Sequence, residues 1–251
     1  TNPLEWYGFH RAREMRFLET DKLITSHASI SPSFTYATGE NYFNQNVYGI
    51  ELKKDISLVQ ILGILNSKLS DFYIRSTSSM INGGYFLYKT DYISQLPVIV
   101  EEKSDLISLT NKALELNSQL SNYNIKFIKY LVQSCKIKKL SKKLQNWHEL
   151  DFGEFIKELN KAIKANNKLR EKAALIDLGE KEGELKECTP FEIVPTLTKK
   201  DEFEWLDLFE ENKQKAQALQ TQINQTDKEI DAMVYELYGL TEDEIAIVEN
   251  S

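Results

Sequence analysis

Apolar residues recur at heptad spacing in two long stretches of the chain. In the first, between residues 104 and 134, successive members are alternately three and four residues apart. The members are Leu106, Leu109, Ala113, Leu116, Leu120, Tyr123 and Phe127. A repeat of this period places its members on one face of an α-helix. At about 1.5 Å per residue, that helix would be roughly 45 Å long.

A second seam with the same alternation lies near the C-terminus. Its members are Trp205, Phe209, Asn212, Ala216, Leu219, Ile223, Thr226, Ile230, Met233 and Leu237. The polar Asn212 and Thr226 could fix the register of pairing, as single polar seam positions do in coiled coils. We expect the two helices to pair antiparallel, because the segment between them must bring the chain back. In the alternative interpretation, each helix only packs on a globular core.

The first hundred residues have a mixed pattern of aromatic and β-branched residues punctuated by short turn signals. Residues 47–52 alternate and predict a strand. Ser57 suits the N-cap of a buried helix that carries Leu58, Ile61, Leu62 and Leu65. Asn82-Gly83-Gly84 favours a tight turn with positive φ, followed by a strand over 85–88.

The remaining segments predict short elements. A short helix should begin near Asp151, with an apolar stripe of Phe152, Phe155, Ile156, Leu159 and Ile163. Residues 177–200 are poorly periodic and indicate a loop. A capping box at 241–244 predicts a last short helix. We therefore expect an α+β protein, with a mixed lobe in residues 1–100 and long antiparallel coiled-coil-like helices plus short helices in residues 101–251.

Composition restricts the class of protein. The chain has 251 residues, of which 41% are hydrophobic, and no run approaches the roughly 18 apolar residues of a membrane span. The N-terminus lacks the pattern of a signal peptide. Two cysteines, Cys135 and Cys188, form no disulfide framework and fit a reducing compartment. These features predict a cytoplasmic protein, and the start at Thr1 in mid-pattern suggests a fragment of a longer one.

Charge is unevenly distributed. The chain carries a net charge of −7, but residues 1–100 are neutral, residues 101–170 carry 14 basic and 8 acidic groups, and residues 171–251 carry 8 basic and 21 acidic groups. Because a nucleic-acid backbone responds to a local patch, an acidic C-terminal part can coexist with a DNA-binding surface. The alternative is that solvated helices simply differ in charge.

Motifs for catalysis are incomplete. Asn2-Pro3-Leu4-Glu5 lacks the second proline and the aromatic residue with which adenine methyltransferases hold a flipped base. Glu51-Leu52-Lys53 and Glu184-Leu185-Lys186 fit only half of a metal-dependent nuclease signature, since no proline is followed by Asp. No phosphate-binding loop occurs, and His10, His27, His148 and the cysteines lack metal-site spacing. We expect a chain without catalytic residues, metal or cofactor of its own.

Two polar clusters are candidates for DNA contact, because phosphate anchoring and base reading need basic, amide and hydroxyl side chains. The candidates are Arg11, Arg13 and Arg16, then His27, and then Arg75, Ser76, Thr77, Ser78, Ser79, Asn82, Gly83 and Lys89. The ordinary alternative for each cluster is a solvated loop. A lysine run over residues 126–143 resembles a solvated helix end, which could also touch the DNA backbone.

Two separated blocks carry a family resemblance. The first contains Trp6-Tyr7-Gly8, Tyr48-Gly49-Ile50, Leu65-Asn66-Ser67-Lys68-Leu69 and Leu96-Pro97. The second contains Trp147-His148-Glu149-Leu150-Asp151-Phe152, Glu204-Trp205-Leu206 and the ending Val234-Tyr235-Glu236-Leu237-Tyr238-Gly239-Leu240-Thr241. In this order they resemble the TaqI-like C-terminal specificity domain and the C-terminus of single-chain type II (type IIG) restriction–modification enzymes.

The resemblance implies a non-catalytic target-recognition module for duplex DNA. Methyltransferase and endonuclease domains of the parent enzyme, an N6-adenine DNA methyltransferase that uses S-adenosylmethionine and Mg²⁺, would then act on the positioned DNA. The helical region is also similar to the coiled-coil spacers of type I specificity subunits. The alternative function is a coiled-coil protein–protein scaffold, in which the helices would allow a homodimer.

Overall fold

The computed structural model describes residues 19–41, 43, 46–52, 56–179 and 193–251. The strands in this part of the chain are β1 (Lys22–Ser26), β2 (Ala28–Ser29), β3 (Thr35–Ala37), β4 (Val47–Ile50), β5 (Met80–Ile81) and β6 (Tyr85–Leu87). The helices are α1 (Leu58–Asn66), α2 (Lys68–Thr77), α3 (Thr90–Ile93), α4 (Ser104–Ser134), α5 (Lys142–Gln145), α6 (Phe152–Gly179), α7 (Lys199–Tyr238) and α8 (Glu242–Glu249). The predicted α+β class is confirmed.

The chain divides into two compact units. The first contains residues 1–114 and 224–251, and the second contains residues 115–223. This division differs from the boundary predicted at residue 100, because the C-terminal end of α7 packs with the N-terminal lobe. For example, the Tyr238 hydroxyl donates to the Pro97 carbonyl at 2.5 Å. The assignment of separate functions to residues 1–100 and 101–251 stays a prediction.

Two small antiparallel sheets and a buried helix build the first unit. The sheets have the strand orders β3-β1-β4 and β2-β6-β5. Helix α1 is buried along most of its length, and the predicted N-cap at Ser57 is confirmed by a 3.3 Å hydrogen bond from the Gln60 amide. A Cβ at Gly63 would lie 2.4 Å from the Thr110 Oγ1 atom, so glycine allows α1 to approach α4 closely.

The residues after α1 connect it to its surroundings. The Asn66 side chain accepts a hydrogen bond from the Phe34 amide and donates one to the Phe34 carbonyl, each at 3.0 Å. Ser67 is the N-cap of α2. The Lys68 amide donates to the Asp231 carboxylate at 2.8 Å. The segment 65–69 that carries the family resemblance is therefore a helix-to-helix junction with three separate anchors.

Paired helices form the core of the second unit. The Tyr123 hydroxyl donates to the Asn212 Oδ1 atom at 2.6 Å, and the rings of Tyr130 and Trp205 lie 5.6 Å apart. As residue numbers rise along α4, those of the partners fall along α7, so the pairing is antiparallel as predicted. The fully buried Trp147 stacks on Phe127 with ring centroids 3.8 Å apart.

Helix α6 corrects one sequence-based expectation. The predicted short helix begins as expected, with the Glu154 amide bonded to Asp151 Oδ1 at 2.7 Å, but it runs for 28 residues. The apolar stripe beyond Ile163 is too sparse to reveal this length, because buried Asn166 continues the packed face. The predicted loop over 177–200 is wrong at its ends, because residues 177–179 belong to α6 and residues 199–200 to α7. Residues 193–198 form neither helix nor strand, and residues 180–192 lie outside the described part.

The last predicted elements are confirmed. Thr241 and Glu244 form the capping box at the start of α8. Gly83 and Gly84 have φ values of +91° and +78°, as the predicted tight turn requires. Among the described residues, no helix is long and apolar enough to span a membrane.

Candidate nucleic-acid interface

A β-hairpin dominates the surface on which most sequence-predicted contact residues lie. Strands β5 and β6 pair antiparallel, with Met80 opposite Phe86 and Ile81 opposite Tyr85. The predicted contact residues Asn82 and Gly83 form the turn between them and are exposed. The other strand beside β6 is β2, where Ser29 pairs with Phe86. Strand β2 therefore borders one edge of a short ribbon whose tip is open to solvent.

The hairpin exposes apolar side chains that sequence reasoning missed. The exposed fractions are 66% for Met80, 42% for Ile81 and 41% for Tyr85, and the nearby Ile30 is 53% exposed. Exposed apolar residues that occur together are more informative than single ones, because they frequently mark an interaction site. In the sequence, these apolar residues lie on both sides of Asn82-Gly83-Gly84. They are not selected as DNA contacts there, because polar side chains are the usual criterion for such contacts.

His27 lies where the two sheets meet. Its amide donates to the Asn46 carbonyl at 2.8 Å, and its carbonyl accepts from the Tyr88 amide at 3.0 Å. The half-buried imidazole stacks on the Tyr48 ring, with centroids 5.8 Å apart and an angle of 24° between the planes. The structure thus places His27 at the base of β6, next to the hairpin, with its backbone in a structural role.

The guanidinium of Arg75 is directed into the protein. Its Nε atom donates to Asp71 at 2.9 Å, and an Nη atom donates to the Ile30 carbonyl at 2.7 Å. The cation also lies 4.9 Å from the centroid of the Phe86 ring. These contacts connect the end of α2 to β6 and to the residue that follows β2, so Arg75 packs against the hairpin from the protein side. A role in base reading would require it to leave all three partners.

The buried Tyr88 completes this support behind the hairpin. It is inaccessible to solvent, and its ring packs edge-on against Phe34 at 5.8 Å. Burial, together with the nearby Asp71 carboxylate, raises the pKa of the Tyr88 hydroxyl far above its usual value. Tyr88 therefore stays neutral at physiological pH and acts as a packing residue.

The hydroxyl cluster is divided between helix and loop. Ser76 and Thr77 donate to the carbonyls of Phe72 and Tyr73, one helical turn earlier, at 2.8 Å each. These exposed hydroxyls keep their oxygen lone pairs, but their protons are occupied. Ser78 ends α2, and its buried Oγ atom has no hydrogen-bond partner among the described residues.

The remaining predicted residues surround the hairpin or lie in a part of the chain that the structure does not describe. Ser79 Oγ lies 3.3 Å from the Tyr92 hydroxyl, and the half-buried Lys89 precedes α3 as its N-cap residue. The predicted contacts Arg11, Arg13 and Arg16 lie outside the described residues. The structure thus brings His27, Arg75, the hydroxyl cluster, Asn82, Gly83 and Lys89 to one region of the first unit.

A second cluster of charged residues lies in the same unit, at the start of α2. A cleft of about 640 Å³ is lined by Lys68, Asp231, Tyr235 and Glu249, among others. Lys68 and Tyr235 both donate to the Glu249 carboxylate. Those two hydrogen bonds lower the pKa of Glu249, whereas burial raises the pKa of Asp231 to about 6. These groups bind one another and connect α2, α7 and α8.

The described part of the chain contains no group of three or more His, Cys, Asp or Glu side chains that could bind a metal ion together. His148 lies against Trp147, and burial lowers the pKa of its imidazole. Burial also raises the pKa of the Cys135 thiol, which makes the reactive thiolate less available. These residues act in packing.

Comparison with known families gives two adjacent matches. Residues 3–98 match the family described as TaqI-like C-terminal specificity domain. Residues 100–234 match a family described as Domain of unknown function (DUF8810). No curated protein matches the chain significantly. The first match includes the hairpin and its supports, and the second includes most of the long helices. The N-terminal part of the chain is similar to the TaqI-like specificity domain over residues 3–98. The chain belongs to the DUF8810 family, whose model covers more than half of it.

Proposed function

We propose that this chain reads the base sequence of duplex DNA for a restriction–modification enzyme, and that the β5–β6 hairpin enters a groove of the duplex. The observation that carries the proposal is an exposed hairpin within the region that matches a specificity domain. Arg75 packs against this hairpin from the protein side. The major groove of B-DNA is about 12 Å wide and admits a two-stranded ribbon.

The side chains of the hairpin suit contact with bases. Asn82 at the tip can donate to and accept from an adenine edge, which is a frequent pairing in the major groove. Met80 and Tyr85 offer exposed apolar surface for thymine methyl groups. Gly83 lets the backbone approach closely, because no Cβ intervenes. We therefore place base reading on the hairpin and not on Arg75.

Anchoring to phosphates would come from the residues around the hairpin. Lys89 and the exposed Ser79 hydroxyl flank it, and His27 lies at its base. Ser76 and Thr77 would have to release their helical carbonyls before they could donate to a phosphate. The arginines at positions 11, 13 and 16 would add positive charge. Such contacts fix the position of the protein on the duplex without specifying a sequence.

Catalysis in this proposal belongs to other domains of the enzyme. An N6-adenine methyltransferase with S-adenosylmethionine, and an endonuclease with Mg²⁺, would act on DNA that this chain positions. Base flipping by such a methyltransferase needs a duplex held in a fixed register. The helical region would serve as a spacer or docking arm for those domains.

The scaffold alternative is less favoured by the contacts of the second unit. Leu116, Leu120 and Phe127 are buried in one core cluster with Phe209 and Ile223 of the other seam. A homodimer through these seams would have to replace contacts that one chain already makes with itself.

The first experiment is selection of bound duplexes from a randomised DNA pool, at low and at moderate salt. The proposal expects enrichment of one short site that survives moderate salt, because base contacts depend less on salt than phosphate contacts do. Binding without sequence preference that disappears with salt would refute base reading by this chain.

Substitutions in the hairpin then test whether its side chains contact the bases. Tyr85→Ala and Asn82→Ala should each weaken binding to the selected site by about 1–3 kcal/mol and relax its sequence at one position. Phe203→Ala is the matched control, since Phe203 is an aromatic residue that is 76% exposed on α7. Equal effects of the hairpin and control variants would remove the hairpin from the interface.

A further inference from the structure

One stretch of the DUF8810 region is basic, although the chain as a whole is acidic. The 33 residues from 116 to 148 contain seven lysines and no Asp or Glu. The lysines are Lys126, Lys129, Lys136, Lys138, Lys139, Lys142 and Lys143, and all seven are exposed. Since the chain as a whole carries a net charge of −7, this stretch is a local concentration of positive charge.

The turn that ends α4 has an unusual residue at its centre. Lys136 has a φ of +48°, the left-handed conformation that favours glycine. The Ile137 amide donates to the Val132 carbonyl at 3.1 Å, which closes the helix end. A lysine here is less stable than a glycine would be. Strain of this kind often accompanies a functional demand on the side chain.

A buried amide fixes the backbone of the following lysines. The Asn166 side chain is 3% exposed, and its Oδ1 atom accepts from the amides of Lys138 and Lys139 at 2.8 and 3.3 Å. Its Nδ2 atom donates to the carbonyls of Lys139 and Ala162 at 3.2 and 2.9 Å. The loop is therefore ordered before any partner binds.

Helix α6 adds a further cation. Arg170 donates to the Lys136 carbonyl and, at 3.0 Å, to the Asn167 side chain. We call Lys136, Lys138, Lys139 and Arg170 the basic loop. The fold therefore brings together cations that are separated by about thirty residues in the sequence.

Acidic neighbours lie toward the other end of the lysine run. Lys143 pairs with Glu154 at 3.5 Å, and Ser141 donates to Glu158 at 3.5 Å. Among the described residues, no carboxylate forms an ion pair with Lys138 or Lys139. The positive charge of these two lysines is thus available to an external anion.

We propose that the basic loop binds the phosphate backbone of duplex DNA and gives the DUF8810 region a sequence-independent anchoring function. The choice of DNA as the partner rests on the proposed recognition function. Lysines suit this role, because phosphate contacts release condensed counterions and need no specific geometry. An ordered loop loses little conformational entropy on binding.

The test measures binding of the full chain to a labelled duplex of scrambled sequence by fluorescence anisotropy, over a range of salt concentrations. In Lys138→Gln/Lys139→Gln, each phosphate that is no longer neutralised should lower the affinity by roughly eightfold at about 0.1 M salt. The slope of log affinity against log salt should flatten by about 2.

Lys199→Gln/Lys200→Gln is the control with the same change in net charge. Both residues are exposed in the second unit, but they pair with Glu202 and Glu204 at 2.5 and 4.0 Å. This control should leave the salt slope unchanged. Equal slopes for the loop and control variants, or no binding of the scrambled duplex by the unaltered chain, would overturn the proposal.

A second measurement separates binding from folding. The Tm of Lys138→Gln/Lys139→Gln should equal that of the unaltered chain, because both side chains are exposed and the Asn166 hydrogen bonds use only the backbone of these residues. A lowered Tm together with an unchanged salt slope would attribute any loss of affinity to folding and overturn the proposal. Failure of the recognition proposal is distinguishable, since it would remove sequence preference and leave the effect of the loop variants on the scrambled duplex intact.

Discussion

Asp231 tests how the C-terminal end of α7 stabilises the first unit. The residue is 7% exposed, and its Oδ1 atom accepts the Lys68 amide at the first turn of α2. Burial raises its pKa, whereas the hydrogen bond from the Lys68 amide and the Lys68 charge lower it by a smaller amount. The pKa therefore moves from 3.8 to about 6. We predict that Asp231→Asn removes a pH-dependent loss of stability, because an amide oxygen still accepts this hydrogen bond but carries no charge.

The sign of the effect follows from proton binding. The folded state holds the Asp231 proton more tightly than the unfolded chain does, so the unfolded chain releases its proton first as pH rises. The free energy of unfolding therefore falls between pH 3.8 and about 6 and is constant above that range. At 1.36 kcal/mol per pH unit, the full loss is about 3 kcal/mol.

The assay is urea unfolding followed by circular dichroism. Between about pH 4.5 and about pH 7.5, the unaltered chain should lose about 2 kcal/mol more than Asp231→Asn does. Asp207→Asn is the control, since Asp207 is an exposed carboxylate on the same helix. Parallel pH profiles for the unaltered chain and Asp231→Asn would refute the assigned burial and its cost.

Three further predictions concern the first unit. Arg75→Lys should lower the free energy of unfolding by about 1–2 kcal/mol, because lysine cannot make all three contacts. Selection of duplexes by this variant should return the same DNA site as the unaltered chain. Relaxed sequence preference at one base would instead show that Arg75 contacts that base. Gly63→Ala should cost about 1–3 kcal/mol by forcing α1 from α4. Thr110→Ala, which removes the opposing oxygen, should recover part of that loss in the double variant, and strict additivity in urea unfolding would contradict the contact. Asn66→Ala should cost about 1–2 kcal/mol in the same assay, since the Phe34 backbone loses both partners; an unchanged midpoint would show that water replaces the side chain.

Local sequence patterns are sufficient for several elements. The seam over 106–127 predicts α4, and the alternating steps after Trp205 predict α7, because helical period is a property of the chain itself. The capping box at Thr241 and the turn at Gly83 are equally local, since each depends on residues within four positions of one another. The family resemblance is also readable as motifs in order, and residues 3–98 match the specificity-domain family.

Polar side chains show the limit of sequence reasoning. Arg75 and the hydroxyls of Ser76 and Thr77 have the residue types of DNA contacts, yet the protein uses them internally. Residue type cannot reveal this, because a guanidinium bonds a carbonyl, a carboxylate or a phosphate with similar chemistry. The exposed apolar residues Met80 and Tyr85 look in sequence like ordinary strand members. Only their exposure on the hairpin, which the structure reveals, makes them candidates.

The sequence by itself determined the two long seam helices, the caps at Ser57 and Thr241 and the resemblance to the specificity domain, because these depend on periodicity and on neighbours along the chain. The tertiary structure decided which distant groups meet. It placed Asp231 at the start of α2, Arg170 against the Lys136 turn and Asn166 beneath the lysine loop. These contacts join residues that lie between about 30 and more than 160 positions apart. No local pattern encodes them, since each depends on how complete helices pack.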